Sequence, residues 1–536
     1  VPSRRPAPSL LFTAIAATIV VLPWAIMGTP GDDPDTGPDA PQLVEQPLAG
    51  LGGGETIREI HQDTPFSIVA LTGNDLAGTS ARVRARQPDG SWGPWYEAET
   101  LDSVNPEDGG RAGTEPVYVG RTNTVQIAVT RPPDAEPTGT QTTNSPSDLG
   151  YVPAAFEQPV TQTVNAVLIS PPQAPVDVQL PPPAAVITPG QPPNIITRGQ
   201  WGADEGLRCG EPRYDEGIRA GVVHHTAGSN DYAPQDSAGI VRSIYEYHTR
   251  TLGWCDLGYN ALVDKYGQVF EGRAGGIDRA VTGSHTGGFN RHTFGVAMLG
   301  SFDVEPPTPI QLRTTGRLLG WRLSLDGVDP LGTAVLPSAG GGDTAVPLGA
   351  APTLPAVFAH RDVGNTECPG DAAYALMDRI RQIAARFKEP PGPEDLADTL
   401  RGGAIHARWE AMGGMASVLG GPTSPETIGA NGSRYVTFEK GAIYWSPETG
   451  AQPLTGAIYA VWGSLGFERG LLGLPTSAEI HEPQWIVQNF QHGTLNFDRE
   501  NGRVVRVVDG VELEIPLPEP DAYPVQLERF TPAINP

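Results

Sequence analysis

The chain has 536 residues, more than one hydrophobic core organises, so several domains are expected at roughly 150 residues each. Its 36 basic and 61 acidic side chains give a net charge of −25, which argues against nucleic-acid binding, where phosphate contacts need a basic patch. Three cysteines exclude a disulfide-stapled mini-domain and leave one thiol outside any pair.

Residues 1–30 carry Arg4 and Arg5 ahead of an apolar run, Leu10–Met27, broken only by Thr13, Thr18 and Pro23. This reads as a signal peptide or a membrane anchor, and either one puts the remainder outside the cytoplasm. Residues 50–168 read as an antiparallel β-sandwich: from about Thr56 to Pro132, Phe66–Leu71, Ala81–Ala85, Val117–Val119 and Val125–Val129 are short strand-like runs separated by turn residues such as Asp89-Gly90. Trp92 and Trp95 could stack on sugars or fill a hairpin core. No catalytic constellation stands out in this stretch. Residues 169–196 are a Pro-rich linker, whose composition favours an extended, semi-rigid spacer.

Chemistry concentrates between 200 and 370, which holds six of the ten histidines and all three cysteines. Gly221–Thr226 is an apolar run ending in His224 and His225; as a strand it sends the two imidazoles to opposite faces, so one is a candidate ligand and the other structural. Leu354–His360 is a second apolar strand ending in histidine. Cys368 follows a turn and precedes an amphipathic stripe of Ala373, Leu376, Met377, Ile380, Ile383, Ala384 and Phe387, placing the thiol before a helix N-terminus, where a thiolate is favoured. Two imidazoles and a thiolate are a zinc donor set that leaves a fourth position for water. Spacing alone leaves open a zinc site at His224, His360 and Cys368, or a buried thiol beside two core histidines.

Between these pieces a helix is expected from Asp236 to about Arg250, with Ile240, Ile244 and His248 on its core face. A hairpin follows, Tyr259–Val263 and Gln268–Arg273 around a turn at Asp264–Gly267. In an exported protein Cys209 and Cys255 are expected to pair, which contributes about 3–4 kcal/mol in the chain-entropy model and leaves Cys368 as the odd thiol.

Seven segments in order carry a resemblance: Arg198–Asp204 (RGQWGAD), Val223–Ala227 (VHHTA), Gly253–Asn260 (GWCDLGYN), Val269–Arg273 (VFEGR), Gly283–Thr286 (GSHT), Phe294–Met298 (FGVAM) and Ala359–Pro369 (AHRDVGNTECP). Residues 197–390 thereby resemble the zinc-dependent N-acetylmuramoyl-L-alanine amidases of the peptidoglycan-recognition-protein superfamily. The resemblance implies an α/β mixed-sheet core with flanking helices, a Zn2+ held by His224, His360 and Cys368, and assistance from Tyr259 at an oxyanion and from Thr366. It implies hydrolysis of the amide between the lactyl group of N-acetylmuramic acid and L-alanine, with the peptidoglycan stem peptide and muramic acid as partners. The superfamily also contains non-catalytic members that bind peptidoglycan, and that alternative stays open. Glu271 is either a base or a structural ion-pair partner of a nearby arginine; His285 either lines the groove or contacts a ligand. The Gly-rich loop 326–352 departs from the family pattern.

The tail is duplicated. Trp409 and Trp462, Leu419–Ser424 and Leu472–Ser477, and Glu426 and Glu479 are offset by 53 residues. Residues 403–455 and 456–510 resemble the LGFP repeats of envelope-associated actinobacterial proteins, which implies attachment to cell-wall polysaccharide or a mycolate layer. Tyr435, Tyr444, Trp445, Trp462 and Trp485 could stack on sugars or pack within each repeat. The chain is therefore expected to be multidomain and secreted or wall-associated, with a β-sandwich, an amidase core and two short repeats.

Overall fold

The structure, a computed structural model, describes residues 42–74, 76, 78–101, 111–135, 138, 163–171, 174, 177, 189–341 and 344–518. The leader at 1–30 and most of the linker at 169–196 lie outside the described residues.

The first domain is a seven-stranded antiparallel sheet built from β1 (Gln42–Pro47), β2 (Gly54–Gly73), β3 (Ser80–Ala85), β4 (Tyr96–Ala98), β5 (Ala112–Gly113), β6 (Val117–Arg131) and β7 (Val164–Ser170), in the order β1-β7-β2-β6-β3-β4 with β5 on β2. The long β2 has register shifts between His61 and Phe66 and between Phe66 and Ile68, and bulges of this kind bend a strand and change its partners. Val83, Val125 and Ile127 from one half share a core with Val69, Leu71 and Leu168 from the other. The two layers of the sandwich are thus halves of one bent sheet.

Residues 66–73 of β2 are buried without alternation, because the strand is covered on both faces. Val69 and Leu71 face the domain's own core. Ile68 and Ala70, with Val167 and Ile169 of β7, join a different core containing Tyr245, Tyr247, Leu252 and Trp254 of the next domain. The β-domain is therefore seated on the α/β domain through a shared apolar layer rather than strung beside it.

That second domain has a mixed sheet of β8 (Ile195–Ile196), β9 (Ala220–His225), β10 (Ala261–Val263), β11 (Val269–Glu271), β12 (Thr293–Met298), β13–β14 as a separate pair (Thr333–Val335 and Thr353–Pro355) and β15 (Val357–Ala359), in the order β15-β9-β12-β10-β11-β8. Four neighbours, β15 to β10, run parallel, and β10–β11 is the antiparallel hairpin. Its helices are α1 (Arg198–Trp201), α2 (Ser237–Glu246), α3 (Pro309–Leu325), α4 (Asp371–Tyr374) and α5 (Met377–Ala385). Val223, Val296 and Val357 pack under Leu319 and Leu323 of α3 and Ile380 of α5, while Leu262, Phe270 and Ala297 point the other way towards α2.

Two helices differ from their sequence pattern. The helix expected to reach Arg250 is α-helical to Glu246 and continues as one π-helical turn, Tyr247–Thr251, a wider turn common at functional sites. The stripe after Cys368 is broken at Ala375–Leu376 into α4 and α5. The helix following the thiol is only four residues long, so its dipole is small.

The tail adds α6 (Pro393–Thr399), then two units that each place a helix on a small antiparallel sheet: α7 (Ala404–Ala411) on residues 427–455, and α8 (Gly456–Ser464) on residues 480–515. The duplication reaches single hydrogen bonds. The indole Nε1 of Trp409 donates to Gly420 O and that of Trp462 to Gly473 O, both at 3.0 Å. Trp409, Trp462 and Tyr444 are buried, which makes them packing residues rather than sugar platforms.

Candidate metal centre

The register of two parallel strands brings the histidines together. Ala359 of β15 lies opposite Val223 of β9, so His360 and His224 are the next residues at adjoining carboxyl ends, and their rings lie 4.7 Å apart. Period 2 turns His225 to the other side, where its Nδ1 accepts from Phe302 N at 3.4 Å. The turn after His360 closes through Arg361 N donating to Cys368 O at 3.0 Å. Cys368 is buried, with Sγ 3.8 Å from His224 Nδ1 and accepting from His225 N at 3.4 Å. A backbone N–H, rather than a helix end, thus supplies polar support to the sulfur.

The candidate ligand atoms of His224, His360 and Cys368 all lie within 4.8 Å of one another. A tetrahedral zinc, with Zn–S near 2.3 Å and Zn–N near 2.0–2.1 Å, separates sulfur from nitrogen by about 3.5 Å, so the donors fit such an ion. Burial, then the nearby His360 and His285, hold the His224 imidazole well below its usual pKa. It is therefore neutral with a lone pair to offer.

His285 both lines the cavity and touches the candidate ligand: its Nδ1 is 3.0 Å from His224 Nε2 and 2.8 Å from Thr286 Oγ1. A partner on the far nitrogen is what sets the tautomer and orientation of a ligating imidazole. Asn290 Oδ1 fixes this loop by accepting from His285 N and Thr286 N at 2.7 and 2.9 Å. A Cβ at Gly295 of β12 would fall 2.4 Å from the His285 ring, so only glycine leaves room there.

Tyr259 is buried and its ring lies 5.3 Å from that of His224. Its hydroxyl donates to Glu115 Oε1 of the β-domain at 2.6 Å. The Thr366 hydroxyl donates to Glu99 Oε2, also of the β-domain, and accepts from Cys368 N at 3.0 Å. Glu99 and Glu115 line the same cavity as Tyr259, His285, His360, Thr366 and Cys368. Burial raises the Glu99 carboxyl, against the Thr366 hydrogen bond and His360, which lower it. Sequence reasoning missed both glutamates, since nothing in their local spacing sets them apart from the many other acidic residues of that domain.

Glu271 does not line the cavity. Its carboxylate accepts from Arg198 N at 3.2 Å, whereas the Arg198 guanidinium pairs with Glu205 at 2.7 Å and Asp256 at 3.0 Å. Its place is structural, through a backbone amide. His248 sits in the π-helical turn, accepts from Gly258 N at 3.2 Å and packs against Trp254, which lines the cavity, with the ring centroids 4.5 Å apart. Cys209 and Cys255 are bonded to each other, next to Asp256 and the run into Tyr259. Within the loop 326–352, Ala339 N donates to Gly288 O and Thr344 bridges to Gly364 in the His360–Cys368 turn, at the site's periphery.

A family model described as N-acetylmuramoyl-L-alanine amidase matches residues 214–371. Peptidoglycan recognition protein 1 of Mus musculus is 30% identical over 187 residues, which are 34% of this chain and 85% of that protein. The chain belongs to the peptidoglycan recognition protein and amidase family. The human N-acetylmuramoyl-L-alanine amidase is 32% identical over 208 residues, 37% of this chain and 30% of that one. Human peptidoglycan recognition protein 3 is 30% identical over 185 residues, and the chain spans 46% of its length. Outside the family domain, a model for Rv3811 N-terminal galactose-binding domain-like matches residues 32–147 and one for the LGFP repeat matches 419–470.

Proposed function

We propose that the chain is an extracytoplasmic, wall-associated zinc hydrolase that cleaves the amide between the lactyl group of N-acetylmuramic acid and L-alanine. The observation that carries this reading is the convergence of the His224, His360 and Cys368 donors on one point beside Tyr259. Zinc, when bound, supplies Lewis acidity towards a carbonyl and makes water a nucleophile near neutral pH. His285 holds the far nitrogen of His224, and Asn290 holds the His285 loop. Tyr259 Oη and Thr366 Oγ1 are hydroxyl donors in the cavity, suited to a developing oxyanion and to a water or carbonyl. The peptidoglycan stem peptide and muramic acid are the partners, and the repeats hold the enzyme to wall polysaccharide. No helix among the described residues is long and apolar enough to cross a membrane.

The test is metal content by mass spectrometry together with digestion of purified sacculi. His360→Ala and Cys368→Ser are expected to lose zinc and to release no stem peptides with L-alanine N-termini. Zinc retained by both variants overturns the ligand set.

One observation favours a second reading, a peptidoglycan binder without hydrolysis: the Tyr259 and Thr366 hydroxyls are engaged by Glu115 and Glu99. Retention on sacculi by the zinc-loaded protein with no released product would establish it.

A further inference from the structure

Glu99, Thr100, Leu101 and Glu115 belong to the β-domain, yet they line the cavity of the metal centre. Backbone pairing makes them one tip. Thr100 bridges Thr114 in antiparallel register, Leu101 N donates to Gly113 O at 2.9 Å, and Glu115 N donates to Glu99 O at 2.7 Å. The pairing sets the two carboxylates side by side, one reaching Thr366 and the other Tyr259.

A tyrosine or threonine hydroxyl carries one proton to donate. In this structure both protons are given to the β-domain carboxylates, so neither hydroxyl can donate to an oxygen of a substrate while the tip is seated. The tip also walls the cavity that His360 and Cys368 line, where a muramyl peptide has to lie to bring its amide to them.

We propose that this tip is an autoinhibitory stopper: Glu99 and Glu115 tie up the Thr366 and Tyr259 hydroxyls, and the adjoining backbone blocks the muramyl-peptide path to the metal centre. The mount of the stopper is fixed. Ser229 N donates to Tyr118 O at 2.7 Å, Tyr247 Oη donates to Leu71 O at 3.0 Å, and Ile68 and Ala70 sit in the shared core. The moving part is small. Glu99 follows β4, a three-residue strand at the sheet edge hydrogen-bonded to β3. Withdrawing Glu99 breaks few ladder bonds and leaves Ile68 and Ala70 in the shared core, with only Leu101 of the tip packed against that core, so local displacement is less costly than undocking the domain. The ligand class rests on the hydrolase reading, but the block itself does not require turnover.

The experiment uses the full chain. Affinity for a synthetic muramyl tripeptide is measured by calorimetry on metal-free protein in chelator, and product release is measured separately on zinc-loaded protein. Glu99→Ala/Glu115→Ala is expected to bind the tripeptide at least tenfold more tightly than wild type, and to release product faster. Glu99→Gln/Glu115→Gln keeps the side-chain volume, guards against a folding defect and is expected to shift affinity the same way by less. Unchanged or weaker affinity in both pairs overturns the stopper, whatever the turnover. Tighter binding with no product from any form upholds the stopper and refutes the hydrolase reading; product from wild type with no gain in affinity does the reverse.

Discussion

Gly228 lies at the seam between the two domains, and replacing it with alanine probes how firmly the β-domain is mounted. A Cβ there would stand 2.8 Å from Tyr118 N, 3.0 Å from Tyr118 Cβ and 3.3 Å from Tyr118 Cα. Two of these atoms are backbone in β6, so no flexible side-chain end can move aside and the seam must part by several tenths of an ångström. Overpacking of this kind costs about 1–3 kcal/mol. The neighbouring bond, Ser229 N to Tyr118 O at 2.7 Å, is strained by the same shift and is worth about 0.5–1.5 kcal/mol. Against this, alanine reduces unfolded-chain entropy and returns about 0.4–1 kcal/mol. The clash wins, and we predict a net loss of about 2 kcal/mol. Because a chain of several domains need not unfold in one step, the assay is hydrogen exchange at the Ser229 amide. A loss of that size speeds opening about 30-fold. An exchange rate equal to wild type would refute the seated β-domain and with it the account of why Glu99 and Glu115 reach the metal centre.

Two further outcomes are expected. Trp409→Ala and Trp462→Ala should each destabilise their own repeat by about 3–5 kcal/mol, read by protease susceptibility of the tail, since both indoles are buried and hydrogen-bonded to a glycine carbonyl; wild-type stability with lost polysaccharide binding would make them sugar platforms instead. His248 is pushed down to about 3 by burial, then by Arg273, so the unfolded chain binds the proton that the folded one refuses. Its contribution is full above pH 6.5 and is lost as pH falls towards 3; His248→Gln should flatten that acid decline in thermal midpoints, and an identical slope in both proteins would count against a neutral buried imidazole.

The candidate centre was legible in outline because its two histidines sit at the ends of apolar strands and period 2 separates His224 from His225. Register then brings the two together: Val223 opposite Ala359 carries His224 to His360. The helical stripe after Cys368 shows which side chains share a face but not whether the backbone runs unbroken between them, and the break at Ala375–Leu376 is visible only in the structure. Glu271 was equally ambiguous, because a carboxylate on a strand does not announce whether it meets a guanidinium, a substrate or, as here, a backbone amide.

Local pattern along the chain was sufficient for the division into a β-domain, an α/β core and a duplicated tail, because strand period, helix period and repeat offset are properties of neighbouring residues. The continuous burial of residues 66–73 was visible only as an apolar run; that its second face is covered by another domain depends on residues from about 165 onward. Tertiary structure alone decided that Glu115 meets Tyr259 across 144 positions and Glu99 meets Thr366 across 267. Such pairs leave no trace in composition or spacing, since the free energy that brings them together is the burial of Ile68, Ala70, Val167 and Ile169 against the α/β domain, and the carboxylates are carried along by the sheet.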